Sequence, residues 1–487
     1  MGEYVLGIDV GTQGARVLVC DPRGAVAARA DHPFDLEAVP GLPAGWAEQN
    51  PADWWQATTL CLRRAVQGLR DRGLSPEAIA GISLTSTSGT VCLADEQGRA
   101  LGTALMYSDR RAGAEAEEAN TAGSALIAKL GYRFSASFSL PKLLWLARHD
   151  PARFAAARYL LSPADYIVGC LTGEWGVSDY TNVLKTGYDL VAGAWPAFIE
   201  DALGLPRQRL PRVVAPGTPV GALSDAVAAA TGLAAGTPVL AGMTDGCASQ
   251  VSTGAVAPGQ WNSTLGTTLV LKGVSRELLR DPLGRIYCHR HPDGHWLPGG
   301  ASNTGGECLA RHFAAEEFAQ LDALALQHSP TDVIIYPLEK PGERFPFVNP
   351  AAQGFRLGEP SSKAELFAAY LEGVGYVERL AYDTLESLGA ELGPEVHVAG
   401  GATKSAPWVQ IRADILGKTL LAPQDSGGAM GAAVIAAGGT LYRGIVPAAR
   451  AMVRLAAEVR PRPELAAAYD DRYQRFRAAC RARGYIA

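Results

Sequence analysis

A carboxylate, a hydroxyl and a guanidinium surround a glycine turn near the start of the chain. Asp9 precedes the turn, Thr12 lies within it and Arg16 follows it. A carboxylate at the end of a strand can hold Mg²⁺ directly or through water, and hydroxyls, turn amides and a cation can bind phosphate oxygens. The residues therefore indicate a phosphate site. The alternative is an ordinary hairpin in which Asp9 caps its own turn.

The same stretch predicts the hairpin that positions these groups. Apolar residues fill 4–10 and 17–20, and the segment between them carries Gln13 between two nearby glycines. We expect Gly11 and Gly14 to supply the positive φ angles and the close backbone approach of a tight turn beside a ligand. The amides of this turn, including that of Gln13, would then bind phosphate oxygens.

A second hairpin of this kind begins the other half of the chain. Residues 260–272 again form a possible strand, a turn containing Gly266 and Thr267, and a second strand. Two such hairpins could hold the phosphates of one nucleotide from opposite sides of a cleft. The P-loop and dinucleotide-binding glycine motifs are missing from the sequence. The pattern predicts phosphate chemistry between two domains of a duplicated fold.

A third glycine site lies at Gly400 and Gly401, between a predicted strand at 396–399 and a predicted helix at 406–417. Backbone at such a position can approach an adenine ring or a ribose closely. The alternative is a plain turn from strand to helix.

Asp245 is the candidate general base. It follows an apolar strand at 238–242, between Thr244 and Gly246, where a side chain is exposed at the edge of a sheet. Transfer of a phosphoryl group to an alcohol needs a base within hydrogen-bonding distance of the hydroxyl, and the remaining catalysis is positioning and charge neutralisation. The alternative is that Asp245 caps a helix.

Length and composition favour a two-domain enzyme that acts on small molecules. A chain of 487 residues exceeds the size of one hydrophobic core, so we expect domains at 1–253 and 254–487. The net charge of -5 provides no basic field for nucleic acid. No apolar stretch is long enough for a membrane span, and no signal peptide is visible. The eight cysteines are scattered, as expected of reduced thiols, so we expect a cytoplasmic protein with no membrane partner.

Helices and strands alternate along both halves of the chain. A strand, a polar turn and a strand are expected within 80–95. Helical spacing of apolar residues predicts helices at 51–70, 137–149, 161–171 and 367–388, and another that starts at Gly428.

Residues 137–149 match every constrained position of the first signature of the FGGY family of carbohydrate kinases, and residues 369–374 match the start of the second. Together with the groups above, they make the chain resemble this family over nearly its whole length. The resemblance implies an α/β fold with two ribonuclease-H-like domains, as in actin and hexokinase-type ATPases, flanking an interdomain cleft. It also implies an ATP-dependent kinase that uses Mg²⁺, with the sugar and the base in the N-terminal domain and the nucleotide in the C-terminal domain.

The resemblance assigns roles to particular residues. Asp9 matches the aspartate that serves Mg²⁺ and phosphate, and Asp245 matches the catalytic base. Gly266 and Thr267 match the second phosphate hairpin, while Gly400, Gly401, Ser405 and Trp408 fall on the adenosine motif. Two positions depart from the family pattern: Ala402 replaces the usual third glycine, and Gly428 stands where many members have alanine or a bulkier residue.

The sugar determinants of the family fall on the turn that contains Thr87, Ser88 and Gly89, to which we add Asp245 and Gly246 as substrate contacts. Short hydroxyl side chains suit a polyol, although a hydroxyl-rich turn is also simply a good turn. The turn looks closer to ribulose kinases than to xylulose kinases. We therefore expect D-ribulose as the substrate, followed by D-xylulose, and then by sedoheptulose or another polyol.

Other classes of protein remain as alternatives. An actin-fold ATPase that serves as a chaperone or scaffold is one, and a sugar-binding protein without kinase activity is another. The joint presence of Asp9, Thr12 and Asp245 with the second hairpin argues against lost catalysis. Lys142 is expected to be structural, with its stem near Trp145. We expect the enzyme to be a monomer or a homodimer.

Overall fold

The computed structural model describes residues 3–34, 39 and 41–487. Its strands are β1 (Tyr4–Val10), β2 (Gly14–Cys20), β3 (Val26–Pro33), β4 (Glu48–Gln49), β5 (Ile79–Ser86), β6 (Cys92–Ala94), β7 (Ala104–Leu105), β8 (Tyr159–Leu161), β9 (Val177–Asp179), β10 (Arg212–Val214), β11 (Pro219–Ala222), β12 (Pro238–Thr244), β13 (Trp261–Leu265), β14 (Leu269–Gly273), β15 (Ile286–Arg290), β16 (Trp296–Ala301), β17 (Ile334–Tyr336), β18 (Phe355–Leu357), β19 (Glu395–Ala399), β20 (Thr419–Pro423) and β21 (Leu455–Val459).

The helices are α1 (Pro51–Arg70), α2 (Gly113–Ala122), α3 (Ser124–Leu130), α4 (Ser139–His149), α5 (Pro151–Ala156), α6 (Pro163–Thr172), α7 (Tyr180–Val183), α8 (Phe198–Asp201), α9 (Asp225–Thr231), α10 (Asp245–Ser252), α11 (Glu307–His312), α12 (Phe318–His328), α13 (Lys363–Ser387), α14 (Ala406–Leu416), α15 (Gly428–Thr440), α16 (Ile445–Met452) and α17 (Ala466–Ala482).

The chain forms two compact units. The first unit contains residues 1–254, 289–294 and 425–454, and the second contains 255–288, 295–424 and 455–487. This division differs from the expected one at 1–253 and 254–487, because two later segments return to the first unit. Helix α15 packs on β1 and β5 there, with its small apolar residues buried against the sheet. No local pattern in the sequence shows that packing.

The first unit is built on a six-stranded sheet in the order β11-β12-β5-β1-β2-β3. Strands β12, β5 and β1 run parallel, whereas β2 and β3 continue from β1 as an antiparallel meander. Asp9 pairs with Arg16 on β2 and with Thr85 on β5. Because Ser86 in turn pairs with Thr244, the carboxyl ends of the three parallel strands meet at one edge of the sheet.

The second unit repeats this plan in a seven-stranded sheet, in the order β15-β16-β14-β13-β19-β20-β21. Strands β13, β19 and β20 run parallel, and β14 and β16 form the antiparallel meander. The antiparallel edge strand β21 corresponds to β11 of the first unit. The expected duplication and the α/β fold class are therefore confirmed.

Most of the predicted elements are present. Helix α1 spans 51–70 as predicted, and both predicted hairpins form. The helix expected at 161–171 starts later, at Pro163, because Leu161 belongs to β8 and pairs with Cys92 on β6. Ser162 and Asp165 form a capping box that marks the true start.

The apolar interior explains the cysteine pattern. All eight cysteines are free, and seven of them are buried as small core residues. Among the described residues, no helix is both long enough and apolar enough to cross a membrane.

Candidate active site

Two carboxylates lie at the carboxyl edge of the first-unit sheet. Asp9 is the next-to-last residue of β1, and Asp245 is the first residue of α10, directly after β12. The Thr85 hydroxyl on the strand between them donates to the Met243 carbonyl at 2.7 Å, which ties β5 to the end of β12. Asp245 does not cap the helix, which was the alternative to its role as a base, because the N-cap position of α10 is Thr244. The edge thus carries an acidic pair.

The two carboxylates act on each other electrostatically. Burial, followed by the charge of Asp245, raises the pKa of Asp9 from 3.8 to about 6. Arg16 opposes this rise, with its Nη1 3.2 Å from Asp9 Oδ2. The Arg16 side chain is more than half exposed, so solvent screens the pair. Asp9 is therefore a carboxylate that would gain from a second cation.

Gly428 gives the Asp9 carboxylate its space. A Cβ at this first residue of α15 would lie 2.6 to 2.9 Å from the Asp9 carboxylate carbon and oxygens. The family departure at Gly428 therefore concerns the surroundings of the Asp9 carboxylate. Asp9 with its neighbour Asp245 suits Mg²⁺, which takes one or two carboxylates and completes its shell with water and phosphate oxygens. The described residues contain no cluster of three or more acidic, histidine or cysteine ligands.

The turn of the first hairpin differs from the expected one in its backbone. Gly11 and Gly14 are not among the glycines with positive φ, so that expectation is wrong. Gly14 is instead required by close packing, because a Cβ there would lie 2.5 Å from the His32 carbonyl oxygen. The Gly11 amide donates to the Gly14 carbonyl at 3.0 Å and closes the turn, and Gln13 is exposed at its tip.

The sequence did not indicate the residue that supports this turn. Gln49 Nε2 donates to the Thr12 carbonyl at 2.8 Å, and Trp54 Nε1 donates to Gln49 Oε1 at 2.8 Å. The Thr12 hydroxyl lies 3.4 Å from the Tyr107 hydroxyl. Strand β4 and helix α1 therefore support the turn of the first hairpin.

The predicted sugar turn lies directly after β5, at the same carboxyl edge as Asp9. The hydroxyls of Thr87 and Thr90 are 3.0 Å apart, and Thr87 is buried, so its hydroxyl supports the turn. Ser88 Oγ is buried and has no hydrogen-bond partner. Gly89 has a φ of 91°, and a Cβ there would lie 2.4 Å from the Ser137 carbonyl oxygen, so glycine is required.

Two lysines hold the carbonyls of this turn. Lys142 on α4 is fully buried, and its Nζ donates to the Gly89 carbonyl at 3.1 Å. Lys185 Nζ donates to the Ser88 carbonyl at 3.2 Å. Burial, with a smaller effect of the Lys185 charge, lowers the pKa of Lys142 from 10.5 to about 7. The lysine of the family signature thus anchors the turn from behind.

The second unit holds a cavity of about 560 Å³ beside its own hairpin. Its walls are mainly apolar, with Leu309, Phe318, Phe367, Leu371 and Trp408. Polar groups come from Glu307, Asp322, Lys404 and Ser405, and the hairpin contributes Gly266 and Thr267. A cavity of this volume with few polar groups fits an adenosine moiety, and the adjoining hairpin amides suit its phosphates.

The residues of the glycine motif before α14 have two different roles. Gly401 and Ala402 line the cavity, whereas Gly400 does not. Gly400 has a φ of 91°, and a Cβ there would lie 2.4 Å from the Leu265 carbonyl oxygen. Gly400 therefore packs the motif against the hairpin strand. Ser405 caps α14, accepting the Trp408 amide at 3.0 Å, and its hydroxyl also donates to Asp322.

Sequence reasoning missed the other walls of this cavity. Glu307 comes from α11, and Phe318 and Asp322 come from α12, where the sequence has no motif. Long-range packing of α12 on α13 and α14 brings Phe318 and Asp322 to the site, and the Glu307 amide donates to the Thr267 carbonyl at 3.2 Å.

Comparison with known proteins defines the class of this protein. The N-terminal domain of the FGGY family of carbohydrate kinases matches residues 4–252, and the C-terminal domain of the same family matches residues 262–439. The chain belongs to the FGGY family of carbohydrate kinases, and it is a sugar kinase.

Several of the proteins similar to this chain are xylulose kinases. The chain is 32% identical over 445 residues to the xylulose kinase of Escherichia coli (strain K12), covering 88% of this chain and 89% of the relative. It is 27% identical over 482 residues to the xylulose kinase of Bacillus subtilis (strain 168), covering 95% and 93%. The crystal structure of xylulose kinase from Rhodospirillum rubrum matches with a TM-score of 0.87 at 29% identity, covering 98% of each chain.

Proposed function

We propose that this enzyme transfers the γ-phosphoryl group of ATP to a hydroxyl of a pentulose, with D-xylulose as the first candidate. The observation that carries this choice is the similarity to xylulose kinases over nearly the whole chain, at 27 to 32% identity. This differs from the expected preference for D-ribulose, which rested on the short turn at 87–89. D-ribulose becomes the second candidate.

Asp245 is the general base in this proposal. Its position at the carboxyl edge, next to the predicted sugar turn, supports the role. The carboxylate takes the proton of the attacking hydroxyl, the sugar oxygen bonds to the γ-phosphorus, and the bond from that phosphorus to the bridging oxygen breaks. ADP leaves with the electron pair of the broken bond, and the proton remains on Asp245 until water removes it.

The remaining residues position the reactants. Asp9 is the residue that would hold Mg²⁺, which neutralises phosphate charge when bound. The turn amides of Thr12 and Gln13, with the Thr12 hydroxyl and Arg16, hold phosphate oxygens, and Gly11 closes the turn through its own amide. Gly266 and Thr267 do the same beside the cavity, where Gly401, Ser405 and Trp408 receive adenosine. Gly400 supports this site through its packing against Leu265.

The sugar contacts are proposed at Ser88, Gly89 and Gly246, with Thr87 as a support. The Gly246 amide donates to Asp245 Oδ1 at 2.7 Å, so this amide orients the base. The free cysteines suit a reducing compartment, and we propose that the enzyme acts in the cytoplasm.

A coupled assay of ADP release tests the substrate. The panel contains D-xylulose, D-ribulose, sedoheptulose, glycerol and gluconate, each with and without Mg²⁺. We expect the highest kcat/KM for D-xylulose and no turnover without the metal. A higher kcat/KM for D-ribulose would restore the preference expected from the sequence, and no turnover with any sugar would overturn the proposal.

A further inference from the structure

The Glu343 carboxylate is a buried acceptor for five neutral donors. Its residue is 3% exposed and lies in the loop after β17. Oε1 accepts the amides of Asn303 at 2.7 Å and Arg344 at 3.0 Å. Oε2 accepts the hydroxyls of Ser302 at 2.8 Å, Tyr336 at 2.9 Å and Thr304 at 3.1 Å. A carboxylate with this many donors fixes the groups around it.

Three of the donors belong to residues 302–307, here called the 302–307 loop, which joins β16 to α11. Asn303 Nδ2 also donates to the Gly342 carbonyl at 2.9 Å. Glu343 and its neighbour thus hold three consecutive residues at the start of this loop. The end of the loop contributes Gly306 and Glu307 to the wall of the cavity.

The 302–307 loop in turn holds the second phosphate hairpin. The Leu269 amide donates to the Thr304 carbonyl at 2.8 Å, and the Ser302 amide donates to the Leu269 carbonyl at 2.9 Å. Further along, the Gly306 amide donates to the Gly266 carbonyl at 2.8 Å. The Glu307 amide donates to the Thr267 carbonyl at 3.2 Å, which completes a ladder along the turn.

The contact between loop and hairpin is too close for side chains. A Cβ on Gly305 would lie 2.5 Å from the Thr267 carbonyl oxygen, and a Cβ on Gly306 would lie 2.7 Å from that of Gly266. Backbone packed against backbone at this distance moves together. A shift at the start of the 302–307 loop is therefore passed to the turn of the second hairpin at Gly266 and Thr267, whose carbonyls the loop amides hold.

We propose that Glu343 is a positioning residue for nucleotide binding, acting through the 302–307 loop on the hairpin amides and the cavity wall without contacting the nucleotide. This rests on the proposed nucleotide site in the second unit. Glu343 is distinct from the residues that line the cavity, and it is joined to them by hydrogen bonds at every step.

Replacement by glutamine keeps the shape and tests the charge. In Glu343→Gln the amide oxygen can still accept the two backbone donors, so the NH₂ group must face the three hydroxyls. An NH₂ group has two hydrogens, and Ser302 Oγ already accepts the Thr304 amide at 2.9 Å. At least one hydroxyl therefore loses its partner, and the start of the loop loosens.

The experiment is isothermal titration of the full-length protein with ADP, together with KM values for ATP and for the best sugar. For Glu343→Gln we expect the Kd of ADP and the KM of ATP to rise about tenfold, and the sugar KM to stay within about twofold. For Thr304→Val, which removes one donor and keeps the branched shape, we expect a rise of about threefold. Unchanged ADP affinity in Glu343→Gln would overturn the proposal.

A matched control separates this effect from general destabilisation. Asp281 is another buried carboxylate of the second unit, and it accepts the Leu283 and Arg285 amides and the Arg285 guanidinium. Asp281→Asn should bind ADP as the wild type does, and an equal loss there would overturn the proposal. If Glu343→Gln does not fold, Thr304→Val decides by the same criterion. Wild-type protein that fails to bind ADP would instead refute the nucleotide site.

Discussion

Removal of the Asp245 charge should affect both the chemical step and the ionisation of Asp9. The variant is Asp245→Asn, which keeps the shape of the side chain. Loss of a general base lowers kcat by about 10² to 10⁴. We expect a fall in kcat of at least about 10², with the sugar KM little changed, because an amide can still accept a hydrogen bond from the sugar hydroxyl.

The structure limits how far the pKa of Asp9 should change in this variant. Its pKa is raised from 3.8 to about 6, first by burial and then by the charge of Asp245. With a neutral residue at 245, burial remains and the repulsion disappears. The pKa of Asp9 should therefore fall below 6 but stay above 3.8. A carboxylate takes up a proton as the pH falls through its pKa. Wild-type Asp9 should therefore lose its charge near pH 6.

Two measurements follow from this. The carboxyl ¹³C shift of Asp9 is titrated between pH 4 and 8 in metal-free protein, with Asp9→Asn to assign the signal. The KM for Mg²⁺ is measured over the same range, and it should rise as the pH falls through about 6 in the wild type. In Asp245→Asn the titration should move to lower pH.

The control is Asp225→Asn. Asp225 is exposed and is the first residue of α9, as Asp245 is the first residue of α10. This variant should keep the wild-type kcat and Asp9 titration. Normal turnover of Asp245→Asn would refute its role as the base. An unchanged Asp9 titration in Asp245→Asn would refute the electrostatic coupling of the two carboxylates.

Three further variants test the surrounding structure. Gly242→Ala would place a Cβ 1.6 Å from a backbone carbonyl oxygen on β5, so the free energy of unfolding should fall by at least about 3 kcal/mol. In the control Gly113→Ala, the Cβ would have no atom within 4 Å, so the free energy of unfolding from chemical denaturation should not change. Burial raises the pKa of Glu372 from 4.5 to about 7, so the free energy of unfolding of the wild type should fall by up to about 3 kcal/mol as the pH rises from 5 to 8. The urea midpoint of Glu372→Gln should vary less with pH than that of the wild type. Lys142→Met should raise the sugar KM about fivefold, because one anchor of the sugar turn is lost. Thermal stability should not fall, because burial already disfavours the charged amine and lowers its pKa from 10.5 to about 7; an unchanged sugar KM would show that this anchor is dispensable.

Local patterns in the sequence were enough for the main elements of the fold. Glycine turns between short apolar runs predicted both hairpins, and helical spacing predicted α1 to the residue. These signals are local because a turn or an amphipathic face is set by nearby side chains. The family signature at 137–149 extended them to the two-domain kinase fold.

The candidate site was predictable where a residue stands beside such a local signal. Asp9 precedes a glycine turn near the end of β1, and Asp245 directly follows the buried strand β12. The start of α6 was misplaced because Leu161 pairs with Cys92, a distant residue. The prediction of positive φ angles at Gly11 and Gly14 was wrong. A glycine can be required by close packing, as Gly14 is, and not only by the φ angles of a turn.

The sequence by itself determined the types of chemical groups and the strands that carry them. Only the tertiary structure decided that Asp9 and Asp245 influence each other, since their strands meet through β5. It also decided the return of α15 to the first unit, the burial of Lys142 and the place of Glu343 behind the hairpin. These features depend on contacts between distant segments, and such contacts leave no periodic or local mark in the chain.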